Sequence, residues 1–257
     1  MNNRRLWAII DRQKAAYRHK GNPIFMRAFD MQIKPLYDKI AETSDIRDVI
    51  VPELDNKAIE EAYKRLYMMT VVPFALKERK QLSKSFKKQD GDEIFEDMLY
   101  SEIINYLKVH TGATITAAGD TSLELIQRMI AKMVPEILDQ GLAAGASQTM
   151  LRDQIQSAWH EMKYYRTERI VRTEVNRASN FGSLEGAKSL GIELDKTWIS
   201  AFSADSRFAH TAADGQTVDL NGSFIVDGES LQYPGDPAGS PGNTINCLCS
   251  TYNQPKK

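Results

Sequence analysis

Three residues in the last quarter of the chain have side chains suited to metal or nucleophile chemistry: His210, Cys247 and Cys249. Imidazole and thiolate are the ligands zinc prefers. If residues 246 to 250 are extended, the two thiols point to the same face, and His210 or Asp205 would complete a tetrahedral site. The same residues fit a second reading, a buried hydrogen-bonded histidine beside two inert thiols, because Cys-x-Cys lacks the two-residue gap of a zinc knuckle. A disulfide between cysteines one residue apart would be badly strained, so a reducing compartment is expected. An enzyme reading places a hydrolytic metal on His210, Cys247, Cys249 and Asp205, with Glu174 as general base. The supporting motifs are missing: there is no His-Glu-x-x-His, no Cys-x-x-Cys with His-x-Glu, and His160-Glu161 stands alone. The expectation is that the chain is not an enzyme.

These groups need a platform. From about Lys163 to Leu190 a long helix is predicted, on which Arg169, Thr173, Asn176 and Asn180 fall on one face and Val171, Val175 and Ala178 on another. Threonine and asparagine are poor helix formers, so a row of them points to hydrogen bonds with loops packed on that face. Arg172 and Glu174 flank the row and would brace it by charge-assisted bonds. Gly191 sits where a left-handed terminal residue is wanted. Beyond it Gly, Pro, Asn, Asp and Ser become dense, and short apolar clusters such as Trp198-Ile199 and Phe224-Ile225-Val226 predict short strands. A module of this size, 192 to 257, has a small core and gains from docking or from a metal.

Upstream, helical spacing predicts a helix from Asn22-Pro23 to about Ile40, with Asn22 as N-cap. A second runs through Ile59, Tyr63 and Leu66 and on past a kink at Pro73; a third covers Ile94 to Leu107. Residues 110 to 120 read as a loop or extended excursion, and Thr121-Ser-Leu-Glu124 as a capping box opening a helix kinked at Pro135. A turn at Gly141 and Gly145 and a short helix capped by Ser147 follow. The fold class expected is α+β, a mainly helical N-terminal region followed by a small loop-rich module with short strands. The expected organisation is a helical region at 1–120 and a second region at 121–257, made of helices over 121–191 and the module over 192–257.

Composition, 42% hydrophobic and 26% charged over 257 residues, is that of an ordinary globular chain and argues against a disordered one. The apolar run from Leu6 to Ile10 is too short for a signal peptide, and no stretch approaches a membrane span, so cytosolic synthesis and no membrane partner are expected. Net charge is −1 but uneven: residues 1 to 39 hold nine Lys or Arg against three Asp or Glu. Lys77, Arg79, Lys80, Lys84, Lys87 and Lys88 form a basic run that would suit either a solvated helix face or contact with nucleic acid. A near-neutral molecule has little long-range attraction for a polyanion, which argues against strong autonomous DNA binding and leaves a DNA-binding accessory role as an alternative.

The ordered set Arg172-Thr173-Glu174, Asn180, Lys196-x-Trp198, Asp205-x-Arg207-x-x-His210, Asp214-Gly215, Phe224, Pro234-Gly235-Asp236 and Asn246-Cys247-x-Cys249 resembles the phage Mu protein F-like head morphogenesis family over roughly residues 120 to 251. The resemblance implies a minor head protein of a tailed bacteriophage, present in the virion head or at the portal vertex and in host cytoplasm during assembly. It implies the portal protein as partner, with major capsid or scaffolding protein and non-specific contact with packaged DNA as further expectations. The family usually carries Arg between the two cysteines, where this chain has Leu248. The chain ends soon after Tyr252, so no appended toxin domain of the kind some members carry is expected. Residues 1 to 110 show no motif.

Overall fold

The computed structural model describes residues 2–86 and 92–256. The chain is α+β: a mainly helical N-terminal region precedes a small module of short strands and loops. Among the described residues five long helices come first, α1 (Asn3–Glu42), α2 (Lys57–Phe86), α3 (Asp92–His110), α4 (Gly112–Leu138) and α5 (Ala144–Lys188). The module contains β1 (Leu194–Ile199), α6 (Phe208–Ala212), β2 (Thr217–Asp219), β3 (Phe224–Val226), β4 (Glu229–Leu231), α7 (Pro241–Thr244) and β5 (Ser250–Pro255). Among the described residues, no helix is long and apolar enough to cross a membrane.

Several helices differ from their expected bounds. The helix expected to open at Pro23 opens at Asn3, where Asn2 Oδ1 accepts from Arg5 N at 2.9 Å and caps it. It continues through Pro23 and Pro35. A proline forfeits one backbone bond, and the buried row Phe25, Phe29, Ile33, Leu36 and Ile40 outweighs that loss. Residues 112 to 120, expected as a loop, are helical, because extending a nucleated helix costs little beside starting one and the amphipathic stretch behind them supplies the nucleus. Thr121 and Glu124 therefore lie inside α4 and not at its start, and Glu124 pairs with Arg128 at 2.9 Å. The two helices expected on either side of residue 160 are one, since no breaker separates Trp159 from Lys163. Ser147 lies inside its first turn, donating to Leu142 O at 3.4 Å.

The chain forms two compact units. One comprises Pro23–Tyr63 and Lys108–Glu168. Its core holds Phe25 edge-on to Tyr63 at 5.1 Å and Phe29 edge-on to Trp159 at 6.3 Å, geometries that set a ring's positive edge against a negative face. Buried Arg166 stacks over Phe29 and donates to Ser122 Oγ at 2.7 Å, so the guanidinium enters the core with a partner.

The other unit, Met1–Asn22, Lys64–Leu107 and Arg169–Lys257, carries the groups of chemical interest. Here α5 lies backbone to backbone on α2. A Cβ at Gly182 would stand 2.5 Å from Val71 O and one at Gly186 2.2 Å from Ala75 O, so two glycines one turn apart permit the approach. The strands form an antiparallel sheet ordered β2-β1-β5 and a separate β3-β4 hairpin. Asp227 and Gly228, with φ of 52° and 77°, make its two-residue turn, which needs positive φ at both positions. Trp198, Phe224, Val226, Leu231, Cys247 and Cys249 form the module's core.

Candidate metal centre and its polar platform

Within the second unit, α5 does not meet the module through apolar contact alone. Of its polar row Thr173, Asn176 and Asn180 are buried while Arg169 is exposed, and Thr173 and Asn180, with buried Arg177, face backbone groups of the module's loops. Thr173 Oγ1 accepts from Asn246 N at 3.0 Å, and Asn246 takes a positive φ of 58°, which asparagine tolerates better than most residues. Asn180 Nδ2 donates to Pro234 O at 2.9 Å and to Cys249 O at 3.1 Å. Arg177 Nε donates to Gly235 O at 2.7 Å. Gly235 has φ of +86° and a Cβ there would sit 3.4 Å from Arg177 Cα, so both the conformation and the close approach favour glycine. Asp236 then ties the loop to itself, accepting from Gln232 N at 2.7 Å and Ala238 N at 2.9 Å. Pro234-Gly235-Asp236 is thus the loop that α5 holds.

Glu174 and Arg177 form a buried pair at 2.9 Å, and Tyr67 OH donates to Glu174 Oε2 at 2.6 Å. Arg177 Nη1 also donates to Oε2 at 3.1 Å, and a buried carboxylate with these three bonds is anchored. It does not line the cavity beside the thiols, and the general-base role expected for Glu174 is corrected accordingly. Asn176 Oδ1, expected to face a loop, instead accepts from Lys14 Nζ at 2.7 Å. Lys14 is 1% exposed and also donates to Ser250 Oγ at 2.7 Å and Cys249 O at 3.3 Å. Trp7 Nε1 donates to Leu248 O at 2.9 Å and Asn3 Nδ2 to Asp214 Oδ2 at 3.1 Å. The first turns of α1 are therefore part of the platform, a contribution the sequence reading misses. A lysine in a basic segment looks solvated, and its one distinguishing feature, its place on the helix face shared with Trp7, became visible only with the fold.

The three ligand candidates converge. His210 Nδ1 lies 3.6 Å from Cys247 Sγ and 3.5 Å from Cys249 Sγ, and all three atoms lie within 4.8 Å of one another. Tetrahedral zinc with Zn–S of about 2.3 Å and Zn–N of about 2.0 Å requires a sulfur–nitrogen separation of roughly 3.5 Å. The other imidazole nitrogen, Nε2, is 3.3 Å from Asn243 Oδ1, and Asn243 Nδ2 donates to Val226 O at 3.3 Å, fixing the amide's direction. An imidazole whose second nitrogen donates to an oriented carbonyl is how metal-binding histidines are held. Trp198, fully buried, stands edge-on to His210 at 5.7 Å and completes the wall. Cys249 S–H facing Cys247 holds the Cys247 thiol well below its ordinary pKa, with His210 acting in the same direction, while Cys249 is raised well above it.

Asp205 is not in the close group. It is exposed and lines a small cavity beside the thiols together with Arg172 and Arg207, whose Nη2 donates to Ile245 O at 2.6 Å. Its part as direct ligand is corrected to a place on the cavity wall. The basic run does not share one face either. Arg79 is buried, stacks 4.7 Å over Phe95 and donates to Ser189 Oγ at 2.8 Å, because its guanidinium finds an aromatic face and an acceptor inside the unit. Lys77 is half-buried and donates to Gln13; Lys80 and Lys84 are exposed. Lys87 and Lys88 lie outside the described residues.

No family model matches the sequence, and no solved structure matches it. The chain is 33% identical over 94 residues to an NAD(+)–arginine ADP-ribosyltransferase of Enterococcus faecalis, a stretch that is 35% of this chain and 19% of that relative. It spans about a fifth of the relative's length. The expectation that the chain is not an enzyme is overturned by this similarity, since a stretch covering 35% of the chain is 33% identical to part of a protein named for a catalytic activity.

Proposed function

We propose that this chain is a minor head protein of a tailed bacteriophage, acting in head morphogenesis at the portal vertex, and that zinc bound by His210, Cys247 and Cys249 staples its C-terminal module. The observation that carries the reading is the buried set of bonds from Thr173, Arg177 and Asn180 to Asn246, Gly235, Pro234 and Cys249. The elements that carry the resemblance to head morphogenesis proteins, among them Glu174, Asn180, Trp198, His210, Pro234-Gly235-Asp236 and the two cysteines, are the ones joined in this network. Such a module has a fixed shape and presents its outer surface to partners: portal protein first, then major capsid or scaffolding protein, with non-specific contact to packaged DNA. Zinc is supported by the sulfur–nitrogen separations and by the second nitrogen's carbonyl partner.

Deleting the protein from a phage that encodes it is expected to leave shells that form but few infectious particles, and cross-linking in wild-type virions to join it to the portal. Normal infectivity without it would end the reading. Metal content of purified protein should be about one zinc per chain, lost in the Cys247→Ser, Cys249→Ser double variant.

The match to an ADP-ribosyltransferase supports a second reading, in which this chain takes part in transfer of ADP-ribose from NAD to arginine. Incubation with labelled NAD and an arginine-rich acceptor tests it; label appearing on the acceptor only with the protein supports it, and an unlabelled acceptor removes it.

A further inference from the structure

The three ligand atoms leave one tetrahedral position to be filled, and the space on that side has a definite size and lining. A cavity of about 30 Å³ adjoins the cluster, bounded by Arg172, Ser203, Asp205 and Arg207 as well as the ligands themselves. Water requires roughly 10–15 Å³ of such volume, so the space beside the ligands suits one or two atoms of a bound group. Two guanidinium groups against one carboxylate give its wall a positive balance. Arg207 is pinned there by Ile245 O, so the charge is held in place at 2.6 Å from a fixed acceptor.

Asp205 is the protein group nearest in type to a fourth ligand, but its loop is closed on itself. Ser203 N donates to Ser206 Oγ at 3.1 Å and Ser206 N to Ser203 O at 3.1 Å, while Phe202 ahead of it sits at φ of 49°. As the loop stands, the Asp205 carboxylate lies outside the group of ligand atoms that come within 4.8 Å of one another. A metal centre with three protein ligands and room beside it takes its fourth ligand from solution.

Building on the zinc assignment above, we infer that the metal bound by His210, Cys247 and Cys249 keeps an open coordination position that accepts a small anion, steered by Arg172 and Arg207. Hydroxide, chloride or one oxygen of a carboxylate has the required size and charge. The position exchanges ligand without any movement of the protein groups that hold the metal.

Cobalt(II) substitution of the full chain provides the test, with azide as probe. The cobalt d–d bands are expected to shift and saturate as azide is added. Arg172→Gln, a change at an exposed residue, should weaken azide binding about fivefold. Asp205→Asn should leave the azide-free spectrum as in wild type. Bands that ignore azide, or that change in Asp205→Asn, overturn the open position while leaving the metal assignment intact. Failure of the wild-type chain to bind cobalt or zinc at all overturns both, and metal stoichiometry distinguishes the two failures.

Discussion

Lys14 Nζ lies 2.7 Å from Asn176 Oδ1, a bond between buried groups 162 positions apart. The same amine reaches Ser250 Oγ and Cys249 O, so one side chain of α1 closes a ring of acceptors supplied by α5 and the start of β5. Burial pushes its pKa down to about 7, against the raising influence of Cys247, Asp11 and Cys249. Removing it takes a donor from Asn176 Oδ1, Asn180 Oδ1 and Ser250 Oγ, while Cys249 O keeps Asn180 Nδ2. Lys14→Met is expected to destabilise this unit by about 2–3 kcal/mol, since each orphaned buried acceptor costs roughly 1–3 kcal/mol and relief of the amine's own desolvation offsets part of the sum. Urea unfolding midpoints measure it. An unchanged midpoint would mean that desolvation cancels every bond the amine makes.

Asn180 joins two separate loops to one helix position through a single amide. Asn180→Leu is close in volume but donates nothing, so Pro234 O loses its side-chain donor and Cys249 O keeps only Lys14 Nζ. The expected outcome is a loss of about 2–4 kcal/mol together with faster proteolytic cleavage between residues 232 and 249, while helical circular dichroism is kept. Cleavage at wild-type rate would show that the loops hold their shape without α5.

Two glycines of the same region separate crowding from backbone strain. Gly186→Ala drives a methyl to 2.2 Å from Ala75 O, a backbone atom that cannot yield without moving a helix, and a loss above about 3 kcal/mol is expected. Gly191 has φ of +61° and open space around it, so Gly191→Ala costs only the left-handed conformation, about 1 kcal/mol. Equal effects in thermal unfolding would refute the close approach of α5 to α2.

Residue type explains why the module was easier to read than the helices. Thr173, Asn176 and Asn180 announce themselves because such side chains are poor choices for a solvated helix, and Gly191 and Gly228 sit where turn chemistry demands them. His210 and the cysteines are chemically distinctive wherever they occur. Lys14 and Arg79 carry no such mark: a cation inside a charged helix looks solvated until the fold supplies an acceptor or an aromatic ring. Gly182 and Gly186 are legible only as a spacing, one turn apart, whose meaning depends on α2 lying opposite. The run from 112 to 120 misled for the converse reason. Its Gly and Thr content argues locally for a loop, and helical continuity overrides that weak preference.

Glu78 gives a prediction in pH. It lies on α2 with Oε1 accepting from Asn253 Nδ2 at 3.1 Å, beside Lys77. Burial pushes its pKa up from 4.5 to about 7, with the Asn253 bond and Lys77 opposing the shift. The folded protein therefore holds a proton that the unfolded chain releases between pH 4.5 and about 7, and stability falls as pH rises through that window. Glu78→Gln has nothing to release. Wild type should lose about 2 kcal/mol relative to Glu78→Gln between the two ends of the window, a value held below the full shift because the residue keeps some contact with solvent. Lys14 acts elsewhere: with its pKa lowered from 10.5 to about 7, its contribution makes stability rise with pH above about 7. Urea titrations of both proteins at half-unit steps from pH 4 to 8 separate the two effects. Parallel stability curves for wild type and Glu78→Gln between pH 4.5 and 7 would show that the carboxyl ionises in the folded protein as freely as in the unfolded chain.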